Sequence, residues 1–256
     1  MFPADIRALF LGEKMLNKLK ELYLKEQFKP SLFGLFINPF YFARKGLYQN
    51  MVKLAKNIKG KTLDVGCGQK PYEKFCNSSE YIGLEIDTAK NRKFKKADYF
   101  YDGKIFPFKN CEFDSIIINE VFEHVFNPDE FLSEINRVLK RGGILLMSVP
   151  FVWDEHEQPS DYGRYSSFGL QYILQKYGFQ IIEFKKSIND IRIIFQLLNC
   201  YIYKKTFTKN TYINLLLTII LMAPFNVVGE ILSKITPKNN DLYLDNIVLA
   251  KKEKNV

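Results

Sequence analysis

Apolar residues along this chain fall into short runs of strand length, separated by polar and glycine-containing turns. Three consecutive isoleucines, Ile116 to Ile118, predict a strand that is buried on both faces, as in a parallel sheet. Apolar residues at helical spacing recur between the runs, at 47–58, 131–139 and 170–177. Strands that alternate with helices predict an α/β fold with a doubly wound sheet. The predicted strands lie at 62–65, 81–86, 95–100, 113–119, 144–149, 180–184 and 246–250.

Local signals place the ends of one helix and divide the chain into segments. Asn127 and Pro128 favour a helix start, and Lys140, Arg141 and Gly142 favour its end. We predict a helical and aromatic arm at 1–46, a core at 47–186, a hydrophobic helical insertion at 187–241, and a last strand with a basic tail at 242–256.

The insertion contains an uncharged stretch at 210–229 that is about 20 residues long, enough to span a bilayer. The last strand must nevertheless return to the sheet, and Pro224 and Asn226 interrupt the stretch. We therefore predict a helical hairpin that is buried or lies in the membrane plane, with Lys204, Lys205 and Lys209 near acidic lipids. Packing on the domain, or a dimer contact, is the alternative.

Composition and charge limit the possible domain size, binding partners and cellular location. The chain has 256 residues, 47% hydrophobic and 25% charged, which fits one large globular domain with additions. Its net charge of +9 suits an anionic partner such as nucleic acid, an acidic membrane or a phosphorylated substrate, or simply a soluble basic surface. The four cysteines and two histidines show no paired spacing, so neither a disulfide framework nor a metal site is expected. The charged first residues are unlike a secretory signal, and a cytoplasmic location is expected.

The stretch 62–68 predicts a ligand site, because a buried strand ends there in an acidic residue and turns through Gly66 and Gly68. Without Cβ atoms, such a turn lets a ligand lie against the backbone. Glu85 follows about 20 residues later, where an acidic side chain can accept hydrogen bonds from ribose hydroxyls. An ordinary strand-to-loop turn is the alternative interpretation.

Five short motifs then occur in a characteristic order. They are Leu-Asp-Val-Gly-Cys-Gly at 63–68, Tyr-Ile-Gly-Leu-Glu at 81–85, Asp102 before Phe-Pro-Phe at 106–108, Glu-His-Val at 123–125, and Leu-Lys-Arg-Gly-Gly at 139–143. In this order the chain resembles the class I methyltransferases that use S-adenosylmethionine. The resemblance implies a Rossmann-like, seven-stranded doubly wound sheet and that cofactor.

The resemblance also implies roles for single residues. Asp64 would favour the cofactor's ammonium, the amides near Gly66 and Gly68 its carboxylate, Glu85 its ribose and Asp102 its adenine. A structural role is expected for Glu123 and His124. The predicted cofactor-binding residues are Asp64, Gly66, Cys67, Gly68, Glu85, Asp102, Asn119 and Glu120.

A nicotinamide-dependent dehydrogenase is the rival within this fold class. It should carry G-x-G-x-x-G, with the third glycine allowing close helix contact. Here the third position is Pro71. The dehydrogenase is therefore disfavoured.

The segment after the fifth strand carries a narrower resemblance. Residues 149–159 and 161–165, with Lys-Pro-Tyr at 70–72, resemble bacterial methyltransferases for surface polysaccharides and related glycans. This implies O-methyl transfer to a small or glycan-type acceptor, in the cytoplasm or at the membrane. The alternatives are an RNA methyltransferase and a non-catalytic partner protein with the cofactor fold. The sequence leaves the oligomeric state open.

The same segment holds the predicted catalytic residues. A histidine titrates near neutral pH, so His156 is predicted to be the base that takes the acceptor's proton. Glu157 or Asp161 would orient it, while Tyr162 and Arg164 would hold the acceptor, Arg164 especially if it bears phosphate. A folded lid whose polar residues bond to each other is the alternative. No metal is expected.

Overall fold

The computed structural model describes residues 25–26 and 28–255, so most of the arm predicted at 1–46 lies outside the described residues. The chain divides into two compact units. One unit contains the described residues up to Tyr48 together with Ile188–Asn239, and the other contains Gln49–Ser187 and the residues from Asn240 onward.

The larger unit is built on a seven-stranded sheet with the order β3-β2-β1-β4-β5-β7-β6. Strands β1 to β5 pair in parallel, while β7 runs antiparallel to both of its neighbours. This mixed sheet with flanking helices confirms the predicted Rossmann-like, doubly wound fold. The strands are β1 (Lys59–Val65), β2 (Asn77–Ile86), β3 (Tyr99–Tyr101), β4 (Phe113–Asn119), β5 (Leu139–Pro150), β6 (Phe179–Ser187) and β7 (Asp245–Lys252).

The centre of the sheet is buried, and its strands are apolar on both faces. Ile116, Ile117 and Ile118 of β4 are all fully buried, as expected for a parallel strand covered on both sides. The helices are α1 (Gly34–Ile37), α2 (Tyr41–Ala55), α3 (Ala89–Phe94), α4 (Pro128–Val138), α5 (Ser167–Lys176), α6 (Arg192–Thr206), α7 (Thr211–Leu217) and α8 (Ala223–Leu232).

Helix α4 ends earlier than its sequence signals indicate. Leu139 is already extended and pairs with Phe113 of β4, so Lys140, Arg141 and Gly142 belong to β5. The predicted helix end at Gly142 is therefore wrong. The free carbonyls at the helix end are satisfied from β7, because the buried ammonium of Lys252 donates to Asn136 O at 2.6 Å and to Leu139 O at 2.8 Å.

The hydrophobic stretch 210–229 is not a hairpin. Helices α7 and α8 are joined by a π-helical turn, Thr218–Met222, into one helix from Thr211 to Leu232. The wider turn accommodates Pro224, which has no N–H to donate, in the first turn of α8. Asn226 is fully buried and donates to Leu35 O and Asn38 O, each at 3.0 Å, so it stabilises the smaller unit rather than breaking the helix.

Candidate active site

The turn after β1 requires glycine at its first position. Gly66 has a φ of +69°, and a Cβ there would overlap Cγ2 of Val121, which follows β4. Its N–H donates to Leu84 O of β2 at 2.9 Å. The neighbouring strands β1, β2 and β4 therefore bring their carboxyl ends together at this turn, where ligands bind in open α/β sheets.

Glu85, near the end of β2, holds the next part of the turn. Its Oε1 accepts the N–H of Gly68 at 2.7 Å and lies 3.9 Å from Lys95 Nζ, and its Oε2 accepts from Asn91 at 3.4 Å. The predicted role of the Gly68 amide as a receptor for a ligand carboxylate is not what the structure shows, because that amide is bonded to Glu85. The side chain of Glu85 thus fixes the glycine turn while facing the cleft.

Two predicted cofactor residues are buried, one in β1 and one in the turn that follows it. Asp64 is buried and accepts a hydrogen bond from Tyr81 Oη at 2.8 Å. Burial raises the pKa of Asp64 to about 7, since the Tyr81 hydrogen bond offsets only part of the cost of a buried charge. Cys67 is also buried, which raises the pKa of its thiol to about 12. Neither side chain lines the cleft.

The remaining predicted cofactor residues differ in position. Asp102 is exposed and accepts the N–H groups of Lys104 and Ile105, which lowers its pKa. Asn119 accepts a hydrogen bond from Ser148 Oγ at 3.1 Å. Glu120, at a φ of +52°, faces the cleft. Of these three, Glu120 alone lines the cleft, and Asp102 stands beside its wall at Tyr101 and Gly103.

The cleft has a volume of about 620 Å³. That is within the range of small-molecule and cofactor sites. Its walls come from the ends of β1 to β4, from helices α3 and α4, and from the loop after β5. The lining residues used below are Gly66, Glu85, Glu120, His124, Glu157 and Tyr162.

The loop after β5 brings three of the five predicted catalytic residues into contact with each other and places the other two on the cleft wall. Asp161 accepts two bonds from the guanidinium of Arg164, at 2.5 and 2.6 Å, which lowers its pKa to about 2. Asp161 Oδ2 also lies 3.2 Å from His156 Nδ1. Tyr162 is half exposed. Arg164 is thus the ion-pair partner of Asp161 rather than a side chain presented to an acceptor, while Glu157 lines the cleft apart from this pair.

The sequence interpretation gave Glu123 and His124 only a structural role and did not predict that the loop after β5 docks onto them. Glu123 and His124 form a 3-10 turn, Phe122–His124, directly after β4. The backbone carbonyl of Glu123 accepts the N–H groups of Tyr162 and Gly163 at 2.8 and 3.1 Å. His124 Nδ1 lies 2.6 Å from Ser160 O. Glu123 and His124 are consecutive in the sequence, but their closeness to His156 in space could not be read from it.

The cleft residues fit the cofactor that the resemblance implies. Glu85 offers a carboxylate of the kind that accepts from a ribose diol, and Asn91 is beside it. Gly66 lines the cleft, and the space that a side chain would take there is filled by Val121, which also lines the cleft. Glu85, Asn91 and the backbone at Gly66 are therefore the groups of this chain that would hold it.

Comparisons with known proteins find matches to the part of the chain that carries this site. A family model described as a methyltransferase domain matches residues 63–147, from β1 into β5. An uncharacterised protein of Methanocaldococcus jannaschii, MJ1123, is 28% identical over 156 residues, which cover 56% of this chain and 76% of that protein.

Solved structures with the same fold are more distant in sequence. Phosphoethanolamine N-methyltransferase 2 of Haemonchus contortus, in complex with S-adenosyl-L-methionine, has a TM-score of 0.52 at 18% identity, covering 90% of this chain and 59% of that one. An S-adenosylmethionine-dependent methyltransferase of Archaeoglobus fulgidus has a TM-score of 0.50 at 19% identity, covering 87% and 100%. The matched methyltransferase domain supports S-adenosylmethionine as the cofactor, and the solved structures show the shared fold.

Proposed function

We propose that this chain transfers a methyl group from S-adenosylmethionine to a hydroxyl group of a sugar-containing acceptor. The observation that carries the proposal is a single cleft with two different walls. One wall holds the cofactor-type groups Gly66 and Glu85, and the other holds Glu157 and Tyr162 from the loop that resembles glycan methyltransferases. When bound, the cofactor supplies an activated methyl group on its sulfonium sulfur. The residues of this chain must then orient the acceptor and remove its proton.

His156 is the proposed base for that proton. Asp161 Oδ2 lies 3.2 Å from His156 Nδ1, so an ionised Asp161 would keep the proton on Nδ1 and leave Nε2 to accept. Arg164 supports this role by holding Asp161 in its charged form. Tyr162 is the proposed acceptor contact, since it is half exposed at the cleft.

The test combines binding with turnover. Calorimetry with S-adenosylhomocysteine should show binding by the parent, and radiolabelled S-adenosylmethionine should label nucleotide sugars or lipid-linked glycans. His156→Ala should bind the cofactor product normally but lose about 10²–10⁴-fold in rate. Lys176→Ala, an exposed change on α5, is the matched control and should leave both measurements unchanged. Transfer to RNA instead of glycans, or no loss of rate in His156→Ala, would contradict the proposal.

We also propose that the smaller unit contacts a membrane surface from the cytoplasmic side. The helix Thr211–Leu232 is long and apolar enough to cross a bilayer, and only 28% of its most apolar window is buried. Ile220 is 57% exposed. Lys204 and Lys205 in the last turn of α6, with Lys209 beyond it, would lie near acidic headgroups.

Vesicle flotation tests this contact. The parent should float with vesicles that contain phosphatidylserine and should be released by salt in part, because basic residues contribute to the attraction. Ile220→Asp should reduce flotation. Phe168→Asp is the matched control, since Phe168 is 81% exposed in the other unit. A parent protein that stays in the bottom fraction at low salt would refute the membrane contact.

A further inference from the structure

Two histidines and one buried carboxylate converge at the wall of the cleft. Glu123 Oε1 lies 3.7 Å from His124 Nε2 and 3.9 Å from His156 Nε2. These distances are longer than a hydrogen bond, so the three atoms face each other without bonding. They come from two separate elements, the 3-10 turn after β4 and the loop after β5.

The other nitrogen of each imidazole is held from outside the cluster. His124 Nδ1 lies 2.6 Å from Ser160 O, and His156 Nδ1 lies 3.3 Å from Asp154 O and 3.2 Å from Asp161 Oδ2. A backbone carbonyl can only accept, so each Nδ1 carries the proton and each Nε2 presents a lone pair. Nδ1 bonded to a carbonyl or carboxylate, with Nε2 free to coordinate, is the arrangement of metal-bound histidines.

The carboxylate of Glu123 needs a partner that the protein does not supply. Its side chain is fully buried, and neither oxygen has a hydrogen-bond partner among the described residues. Among the described residues, the acids Glu120 and Asp161 add negative charge around Glu123, and the guanidinium of Arg164, which is paired with Asp161, offsets part of it. The excess of negative charge therefore favours a bound cation.

We propose that Glu123, His124 and His156 bind a divalent transition-metal ion. Two imidazole nitrogens and one carboxylate oxygen suit Zn²⁺, Fe²⁺ or Co²⁺. A tetrahedral zinc ion with bonds of about 2.1 Å holds its ligand atoms roughly 3.4 Å apart. The atoms offered here all lie within 4.8 Å of one another, so small side-chain movements close the site.

This step rests on the proposed methyl transfer and gives His156 a different part in it when the ion is bound; in the metal-free protein, His156 remains the base. Both Nε2 atoms would be occupied, so His156 could no longer accept a proton. His124 lines the cleft, so an acceptor hydroxyl could reach an open coordination position. A bound divalent ion lowers the pKa of a coordinated hydroxyl, and the proton would pass to Glu157, which lines the same cleft.

Metal binding can be measured without any acceptor. The untagged 256-residue chain would be stripped with a chelator and titrated with Zn²⁺ and Co²⁺ by calorimetry and visible absorption. Its only two histidines are His124 and His156, so histidine coordination reports this site alone. A Cys76→Ser, Cys111→Ser background removes the cysteines that are not buried, which could also bind zinc.

The parent should bind one ion. Asp161→Asn, which alters the outer support of His156, should weaken binding by about 10–100-fold, and His124→Ala or His156→Ala by more than that. Glu155→Gln, a nearby exposed acid, is the control and should change affinity less than about twofold. Glu123→Gln preserves the shape of a buried side chain and serves as a second ligand variant if a histidine variant does not fold.

Two results would overturn the inference: no stoichiometric binding by the parent, or equal affinity in folded His124→Ala and His156→Ala variants. Its failure is separable from that of the proposed function. Methyl transfer to a glycan by a parent protein that binds no ion would refute the metal site alone, whereas metal binding without transfer to any glycan would refute the proposed acceptor alone.

Discussion

Replacing Gly66 with alanine tests how the glycine turn is built. The residue has a φ of +69°, and an added Cβ would overlap Cγ2 of Val121. Gly103 is a matched control, because its φ is +86° while no atom lies within 4 Å of a Cβ placed there. Both changes carry the backbone cost, but Gly66→Ala alone carries the steric one.

The two costs can be separated in magnitude. A left-handed backbone costs an alanine about 1–2 kcal/mol, and overpacking adds about 1–3 kcal/mol. Gly103→Ala should therefore lower the free energy of unfolding by about 1–2 kcal/mol, and Gly66→Ala by about 2–5 kcal/mol. Adding Val121→Ala should recover the steric part in a double-mutant cycle, because it removes the overlapping methyl group.

Urea unfolding followed by the fluorescence of Trp153 measures these differences, since the single tryptophan lies in the same unit as Gly66. Calorimetry with S-adenosylhomocysteine should show weaker binding by Gly66→Ala, whose Cβ would displace the cleft wall. Equal destabilisation by Gly66→Ala and Gly103→Ala, or a cycle without coupling to Val121, would refute the steric account.

Three other changes test separate features. Glu85→Ala should weaken binding of S-adenosylhomocysteine, since each hydrogen bond to a charged group contributes about 1.5–3 kcal/mol; an unchanged affinity for S-adenosylhomocysteine in calorimetry would contradict the assignment of Glu85 to the ribose. Asp64→Asn should remove the part of the pH dependence of folding stability that comes from Asp64. The folded pKa of Asp64, about 7, exceeds the ordinary 3.8, so its contribution to the parent's stability is full below pH 3.8 and is lost as pH rises through 7. In urea unfolding over this pH range, the free energy of unfolding of the parent should fall by up to about 4 kcal/mol relative to that of Asp64→Asn. If the free energies of the two proteins change with pH in the same way, the burial argument is contradicted. Lys252→Met should cost about 1–3 kcal/mol for each carbonyl left unsatisfied, while the exposed neighbour change Lys251→Met should cost little.

One strand that is buried on both faces could be predicted residue by residue. Strand β4 was predicted at 113–119 and spans Phe113–Asn119, because its run of isoleucines leaves no polar face for a helix or an exposed strand. The start of β5 could not be predicted in this way. Lys140, Arg141 and Gly142 are typical of a helix end, yet pairing of Leu139 with Phe113 prevails over that local preference.

The hydrophobic insertion shows the same conflict between local signal and distant partner. Asn226 and Pro224 suggested a break, because each disfavours a helix when considered alone. The structure accommodates Pro224 at a π-helical turn and pairs Asn226 with carbonyls of Leu35 and Asn38, nearly two hundred residues earlier. No local pattern contains that pairing.

The predicted site also divides into features that local sequence predicts and contacts that depend on residues distant in the sequence. The turn at Gly66 and the carboxylate at Glu85 could be anticipated, because their spacing follows from consecutive parallel strands that end at one edge of a sheet. The cluster of Glu123, His124 and His156 could not, because the last of these belongs to a loop without regular structure. Hydrogen bonds from that loop to the Glu123 carbonyl bring His156 within 4 Å of a carboxylate that is distant in sequence. A glutamate next to a histidine in the sequence therefore indicates a cluster with His156 only once the docking of the loop is known.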